Sequence, residues 1–540
     1  MFYTIVVVLI YLFITAFLGY LGFKGTKTSA DYLVAGRQIH PLVMALSYGA
    51  TFISTSAIVG FGGAAGKLGM GLLWLTFLNI FVGIFVAFII FGKRTRKMGH
   101  NIDAHTFPEL LGIRYGSKFM QGFAGVIIFL FMPIYSAAVL KGGVDFIQSY
   151  FGIPFQVSLL FFVAIVALYV FMGGLKGVMY TDAFQGLIMF VGMVFLLIFA
   201  YSKLGGIGAA HQQLTDLINI DVVKEQVASL NLTAGGFTGW TSMPKFGTPI
   251  WWSLVSTIVM GVGIGVLAQP QLIVRFMTVK SNRELNRAVL SGGIFILMMT
   301  GVAFVVGALS NVFFFQETGK IALIAAGATD KIIPEFIKSF VPGWFGPVFL
   351  VTLLAAAMST MSSQFHTMGT AIGRDVYEKS AGGKGNTIVI TRIGMLIGVI
   401  LSAALAWLTS FLDVSMAIIA TGTSLFFGLS AASFLPAYIG ALYIKKLPKA
   451  AALWGMICGF ATSFFWIFFI HKSESSSLQL CKLLSGKPSL VEGTSLAPLS
   501  MVDPIFIALP VSIIVTVVLA FVLKQDVSKE HVDKCFEGIV

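Results

Sequence analysis

Apolar residues fill windows of about 20 positions separated by short polar stretches, and the rhythm repeats roughly thirteen times along the chain. Each window is long enough to carry a helix across a hydrocarbon core of about 30 Å. The windows fall at 2–23, 41–66, 71–91, 119–150, a fifth ending at the GGLKG of 173–177, a sixth opening at Tyr180-Thr181-Asp182, then 251–276, 289–315, 345–375, 387–408, 414–444, 451–470 and 505–523. The pattern predicts an all-α polytopic membrane protein.

Two windows are broken by glycine. The second reads SYGATFISTSAIVGFGGAAG, where Gly49, Gly60, Gly62 and Gly63 flank Ser54, Thr55 and Ser56. The seventh holds Gly261, Gly263 and Gly265 at mid-span, with Pro270 after them. Interrupted helices five spans apart fit two blocks of five in opposite orientations, the arrangement of inverted-repeat secondary transporters that bind solute at the bilayer midplane. Glycines that merely allow close helix packing are the simpler reading of either window alone. The expected division is 1–40 (first span and loop), 41–245 (spans two to six), 246–448 (spans seven to eleven) and 449–540 (spans twelve and thirteen with the tail).

The ninth window carries hydroxyls where lipid-facing residues would be apolar. In AAAMSTMSSQFHTMGTAIGRD, positions Ala356, Ser359, Thr360 and Ser363 share one helical face, with Ser362 beside them. Such a strip either bonds back to carbonyls one turn earlier and joins neighbouring helices, or offers neutral oxygens to a hard monovalent cation such as sodium. If spans two and nine face each other, freed carbonyls of span two complete a cage with Ser359 and Thr360.

Composition agrees with the pattern: 57% of the 540 residues are hydrophobic and 11% charged, which a soluble domain of this size does not carry. The net charge of +13 does not indicate nucleic acid, because Lys and Arg gather in short loops (Lys27 and Arg37; Lys93 to Lys97; Lys280 to Arg287; Lys445 to Lys449) and so set topology. These loops place the N-terminus outside and the C-terminus in the cytoplasm of a cell-membrane protein. The N-terminal window has no basic residue before it and reads as a retained span. Cys458, Cys481 and Cys535 match neither a disulfide framework nor a metal site. No Walker loop or HExxH is present, which argues against an enzyme.

Five motifs, ADYLVAGR (30–37), GATFISTSAIVG (49–60), GGLKGVMYTDAFQ (173–185), AQPQLIVRFMTVKSNRE (268–284) and AAAMSTMSSQ (355–364), together resemble the sodium:solute symporter family over nearly the whole chain. The resemblance implies sodium-coupled uptake of a small organic solute by alternating access, with Na⁺ the co-transported ion and no organic cofactor. It implies a sodium site of Ala50 and Ile53 carbonyls, the Ala356 carbonyl and the Ser359 and Thr360 hydroxyls. A second ion, held by some members, would use Asp182 with Ser359, Ser362 and Ser363. The plainer role for Asp182 is an acid near the cytoplasmic edge paired with Lys176. Ser54, Thr55, Lys141, Gly261, Gly263 and Gln269 are the candidates for solute contact. Lys141 would hold a carboxylate, as a basic residue on this helix does in the resembling sialic acid carriers, or would pair with Asp145 at i,i+4. The solute thus leans to a carboxylate or amino acid. The proline branch of the family carries an aspartate where this chain has Phe52, which speaks against proline. The other readings are a proton-coupled or uncoupled carrier of the same fold, with Asp182 exchanging protons, and a transporter-like sensor. Partners are the solute and the lipid bilayer; no obligatory protein partner is evident. His366 reads as a packing or gate residue.

Overall fold

The computed structural model describes residues 2–411 and 418–539, with side chains except at 29, 168–173, 418 and 477. Among the described residues, eleven helices are long and apolar enough to cross a membrane. The pair Pro41–Phe52 and Ser56–Leu68, bent by 56°, makes a twelfth crossing. At the fifth position the apolar stretch Phe155–Ala167 opens a helix that runs on to Lys203 and is kinked at Gly174 (φ 56°, ψ −174°), inside the expected GGLKG turn between spans five and six. The predicted start of span eleven at 414 lies outside the described residues.

Spans nine (Phe345–Ser380) and eleven (Ile419–Tyr443) form the centre, with 94% of their most apolar windows buried. For spans one (Phe2–Lys24) and thirteen (Ile505–Val522) the figure is 22%, so these present their apolar sides to lipid. Span nine packs against spans six, four, ten and two. Its serines and threonines are therefore shielded from hydrocarbon by protein on every side.

Span seven breaks, but not at its glycines. Gly261 and Gly263 stay within helical backbone, a widened π turn (Ser253–Val262) followed by a short α segment (Gly263–Gly265). A Cβ on Gly263 would stand 2.7 Å from Leu78, and one on Gly265 2.6 Å from Phe427, so these glycines admit neighbouring side chains. The helix stops at Gln269, whose extended backbone (φ −79°, ψ 112°) precedes Pro270, and it restarts as Pro270–Phe276. Gly307 in span eight and Gly459 in span twelve mark close helix approaches, since a Cβ at either would lie 2.0 Å from a carbonyl oxygen, of Gly62 and Ala432 respectively.

The basic loops meet at one end of the bundle. Arg37 donates to the Gly99 and Ala104 carbonyls and pairs with Asp103 at 2.9 Å. Arg96 reaches the Lys280 carbonyl at 3.2 Å, Arg94 the Leu442 carbonyl at 3.1 Å, and Asn101 the tail at Glu537 at 2.7 Å. A single backbone bridge between Ile39 and Val279 joins the loop before one broken span to the loop after the other. At the opposite end the 203–248 connection, partly helical at Ile207–Leu217 and Asp221–Ser229, covers span two through the Trp240 indole bonded to the Gly66 carbonyl at 2.9 Å.

Candidate functional site

The inner half of span two ends where Ile53 donates its N–H to the Gly49 carbonyl (2.8 Å) and turns extended (φ −90°, ψ 105°). Ser54 is non-helical, so Ala50 and the residues after it lose the amide partner four positions on that an unbroken helix supplies. Buried carbonyls must find other partners. Here they find span nine.

The Ser359 Oγ lies 2.8 Å from the Ala50 carbonyl oxygen, 2.8 Å from that of Ala355 and 3.2 Å from that of Ala356. The Thr360 Oγ1 lies 3.0 Å from the Thr51 oxygen and 3.4 Å from that of Ala50. Each hydroxyl has one proton to give. Two protons therefore face five oxygen–oxygen contacts in a place where Ala50, Ala356, Ser359 and Thr360 are all 0% exposed. The contacts run to four carbonyls, of which Ala355 and Ala356 also accept helical N–H groups within span nine, so the two hydroxyls are what meet the Ala50 and Thr51 carbonyls freed by the break, a cluster of buried neutral oxygens of the kind a desolvated hard cation takes as ligands. Ala50, Ala356, Ser359 and Thr360 thus converge, and Ile53 stands at the break beside them. The bland use of hydroxyls is present as well: Ser362 and Ser363 both bond back to the Ser359 carbonyl, at 3.1 and 3.2 Å.

One turn away a second group assembles around Asp182. It is not at an edge and does not pair with Lys176, whose ammonium instead meets the Gly25 carbonyl at 3.4 Å. Asp182 is fully buried and forms an ion pair with Arg275 at 2.8 Å, both side chains being 0% exposed. Its Oδ2 also accepts from Ser47 (2.9 Å) and Thr51 (3.1 Å), and Oδ1 from Ser362 (3.4 Å). The Arg275 Nη2 stands 2.5 Å from Thr51 Oγ1 and 2.6 Å from Ser363 Oγ, while Nε donates to Ser47 at 3.1 Å and Nη1 to the Gln271 carbonyl. Asp182, Ser362 and Ser363 do come together, but a guanidinium nitrogen sits among Asp182, Thr51 and Ser363. The break at Gln269–Pro270 turns the chain so that Arg275 reaches this point. Arg275 lay inside the AQPQLIVRF motif, and an arginine in an apolar stretch was the signal that could have found it.

Beside the break in span two is a cavity lined by Phe52, Ser54, Asn79, Tyr135, Thr300 and Phe427 among others, with free volume of about 10 Å³. No charged side chain lines it. Asn79 is 2% exposed and its Oδ1 has no hydrogen-bond partner among the described residues, so the site offers an acceptor to any ligand carrying N–H or O–H. Of the residues expected to touch solute, Ser54 lines this cavity. Thr55 instead donates to the Val139 carbonyl at 2.5 Å, and Gln269 to that of Gly265 at 3.2 Å. Lys141 is held by Asp145 and, 3.6 Å away, by Asp330, both nearly sealed from solvent. Its carboxylate partners are the protein's own. Asn79, Tyr135, Thr300 and Phe427 were missed because neutral residues on separate spans form a pocket only in three dimensions.

A larger cavity of about 420 Å³ lies about one helical turn further along spans two, seven and eleven, lined by Lys67, Thr257, Thr329, Thr421 and Ser424 among others. At the basic end, the space bordered by His105, Phe107, His366, Thr367 and Asp375 has closed to about 10 Å³.

The model of the sodium:solute symporter family matches residues 32–459. Sodium/proline symporters of Staphylococcus aureus strains JH9 and JH1 are 28% identical over 487 residues, 86% of this chain and 86% of theirs. The structure of a Na⁺-coupled sialic acid symporter in a substrate-bound outward-open state superposes with a TM-score of 0.73 at 18% identity, covering 98% of this chain and 99% of that one.

Proposed function

Because the chain belongs to the sodium:solute symporter family, secondary active carriers that couple sodium entry to uptake of a small organic solute, we propose that it binds one Na⁺ between Ala50, Ile53, Ala356, Ser359 and Thr360. The observation that carries this reading is the convergence of the Ser359 and Thr360 hydroxyls on the Ala50 and Thr51 carbonyls freed by the break in span two, at a point sealed from water. Sodium at this point ties the inner half of span two to span nine and favours the form that admits solute. Its loss to the cytoplasm releases both. One charge moving down 100 mV contributes about 2.3 kcal/mol, enough to hold roughly a 50-fold gradient of a net-neutral solute.

Arg275 donates to Thr51, Asp182 and Ser363, among the residues a second ion would need, which supports a stoichiometry of one sodium. The uncharged cavity favours a solute without net charge that donates to Asn79 and packs on aromatic rings, a description that a small zwitterionic amino acid meets, while Phe52 in place of the proline branch's aspartate still speaks against proline itself. The basic end faces the cytoplasm in this reading, with the N-terminus outside.

The experiment is uptake into proteoliposomes of proline, pantothenate, acetate, lactate and sugars, with sodium or choline outside. A neutral or zwitterionic solute should accumulate only with sodium. In the double variant Ser359→Ala, Thr360→Ala the half-saturating sodium concentration should rise at least about tenfold, as expected for two lost ligands worth ~1.5 kcal/mol or more in sum. An unchanged sodium requirement removes the cage.

A further inference from the structure

At the end of the bundle opposite the basic loops, span twelve (Lys449–Ile470) stops and the connection to span thirteen folds back on it. His471 donates its backbone N–H to the Trp466 carbonyl at 2.8 Å, and Leu490 and Ser489 return to bond the Phe469 and Ile470 carbonyls at 2.9 and 2.7 Å. The Trp466 indole donates to the Val502 carbonyl at 2.8 Å, which brings Asp503 alongside. This scaffold gathers three metal-ligating side chains: His471 and Glu474, one turn apart at i,i+3, and Asp503 from the far end of the connection. Their ligand atoms all lie within 4.8 Å of one another. The three residues are 4, 3 and 3% exposed. The imidazole Nδ1 touches the Glu474 carboxylate, and the ring also hydrogen-bonds the backbone at Met501. Among the described residues, no lysine or arginine forms an ion pair with Glu474 or Asp503; Lys472, next in sequence, points to the exposed Glu492 at 2.8 Å.

Two carboxylates sealed together carry more negative charge than one imidazole can balance, and burial of unbalanced charge is costly. One nitrogen and two carboxylate oxygens, with a second ring contact to backbone that orients the imidazole, form a donor set suited to a first-row divalent cation. We propose that His471, Glu474 and Asp503 bind one such ion. The site would fasten the connection between spans twelve and thirteen to the transport core. Asp503 donates its backbone N–H to Ser256 of span seven at 3.4 Å and lies against Gly428 of span eleven. Ser473, within the same turn, lines the 420 Å³ cavity.

The test is Zn²⁺ binding to the purified full-length protein, by calorimetry after chelator treatment. Cys535 and His531 lie 3.6 Å apart in the tail and would bind zinc themselves, so the background carries Cys535→Ser. One Zn²⁺ should bind per chain. Asp503→Asn and Glu474→Gln, close to isosteric, should each weaken it by about 100-fold, and Lys472→Ala should leave it unchanged. A variant that fails to fold is recognised by loss of its helical circular dichroism and of a single gel-filtration peak, and the thermal midpoint gives an independent reading: zinc should raise it in the background protein and not in Asp503→Asn. Absent binding, or equal binding in background and Asp503→Asn, overturns the proposal and leaves His471 and Glu474 an ordinary ion pair.

Discussion

Arg275 is the residue on which the ion count turns. Its removal by Arg275→Ala leaves Asp182 among the hydroxyls of Ser47, Thr51, Ser362 and Ser363, a set a sodium ion could occupy. The Hill slope for sodium in uptake should then rise from near one toward two. A slope that stays at one, with the variant folded, would show that the arginine does not stand in for an ion. Lys141 makes the contrasting case. Breaking its pairs with Asp145 and Asp330 by Lys141→Gln uncovers two buried carboxylates and should lower stability by about 3 to 5 kcal/mol. Thermal unfolding measures that loss, and uptake of carboxylate and neutral solutes should fall in equal proportion. Lys141 also shows where reading a sequence stops. The i,i+4 spacing made Asp145 visible as a partner, whereas Asp330, almost two hundred residues on, was not. The hydroxyl strip of span nine was legible because helical periodicity is local. The pocket of Asn79, Tyr135 and Thr300 was not, because it depends on how distant spans pack.

At the scale of elements, the break in span two was legible from its glycines and hydroxyls, and that in span seven only as to which span it affects. Proline at 270 ended the helix, while Gly263 and Gly265 served packing. Another element joint is the clamp between the short helix Phe107–Arg114 and the end of span nine. There Glu109 accepts from Arg374 at 2.8 and 3.0 Å. Burial opposes ionisation of Glu109, but hydrogen bonds from His105 and Arg374 and the arginine's charge hold its pKa at about 2 against a usual 4.5. A carboxyl lowered on folding stabilises the protein above its unfolded pKa and loses that contribution as pH falls through the folded one. The clamp should therefore contribute fully above about pH 4.5 and fade toward pH 2, amounting to about 3 kcal/mol. Thermal midpoints of the native protein and Glu109→Gln, followed from pH 7 to 3, should differ most at neutral pH and converge on acidification.

For the whole molecule, free space is uneven along the bundle. The cavity at the Lys67 end holds about 420 Å³, while those at the centre and at the His366 end hold about 10 Å³ each, room for one water. Cysteines placed at Thr421 or Ser424 should react with a membrane-impermeant thiol reagent added outside, and one at Thr367 should be protected in the same protein. The reverse pattern would mean that the basic end, not the Lys67 end, is the open one in the membrane.

The pairing of Asp182 with Arg275 reaches beyond ion counting. Their charges cancel, and the neighbouring cage is built from neutral oxygens, so this part of the unloaded core offers the membrane potential nothing to pull on. Voltage should therefore act on this part of the core through the sodium ion it carries, with Asp182 and Arg275 adding nothing to the voltage dependence of the empty carrier's return.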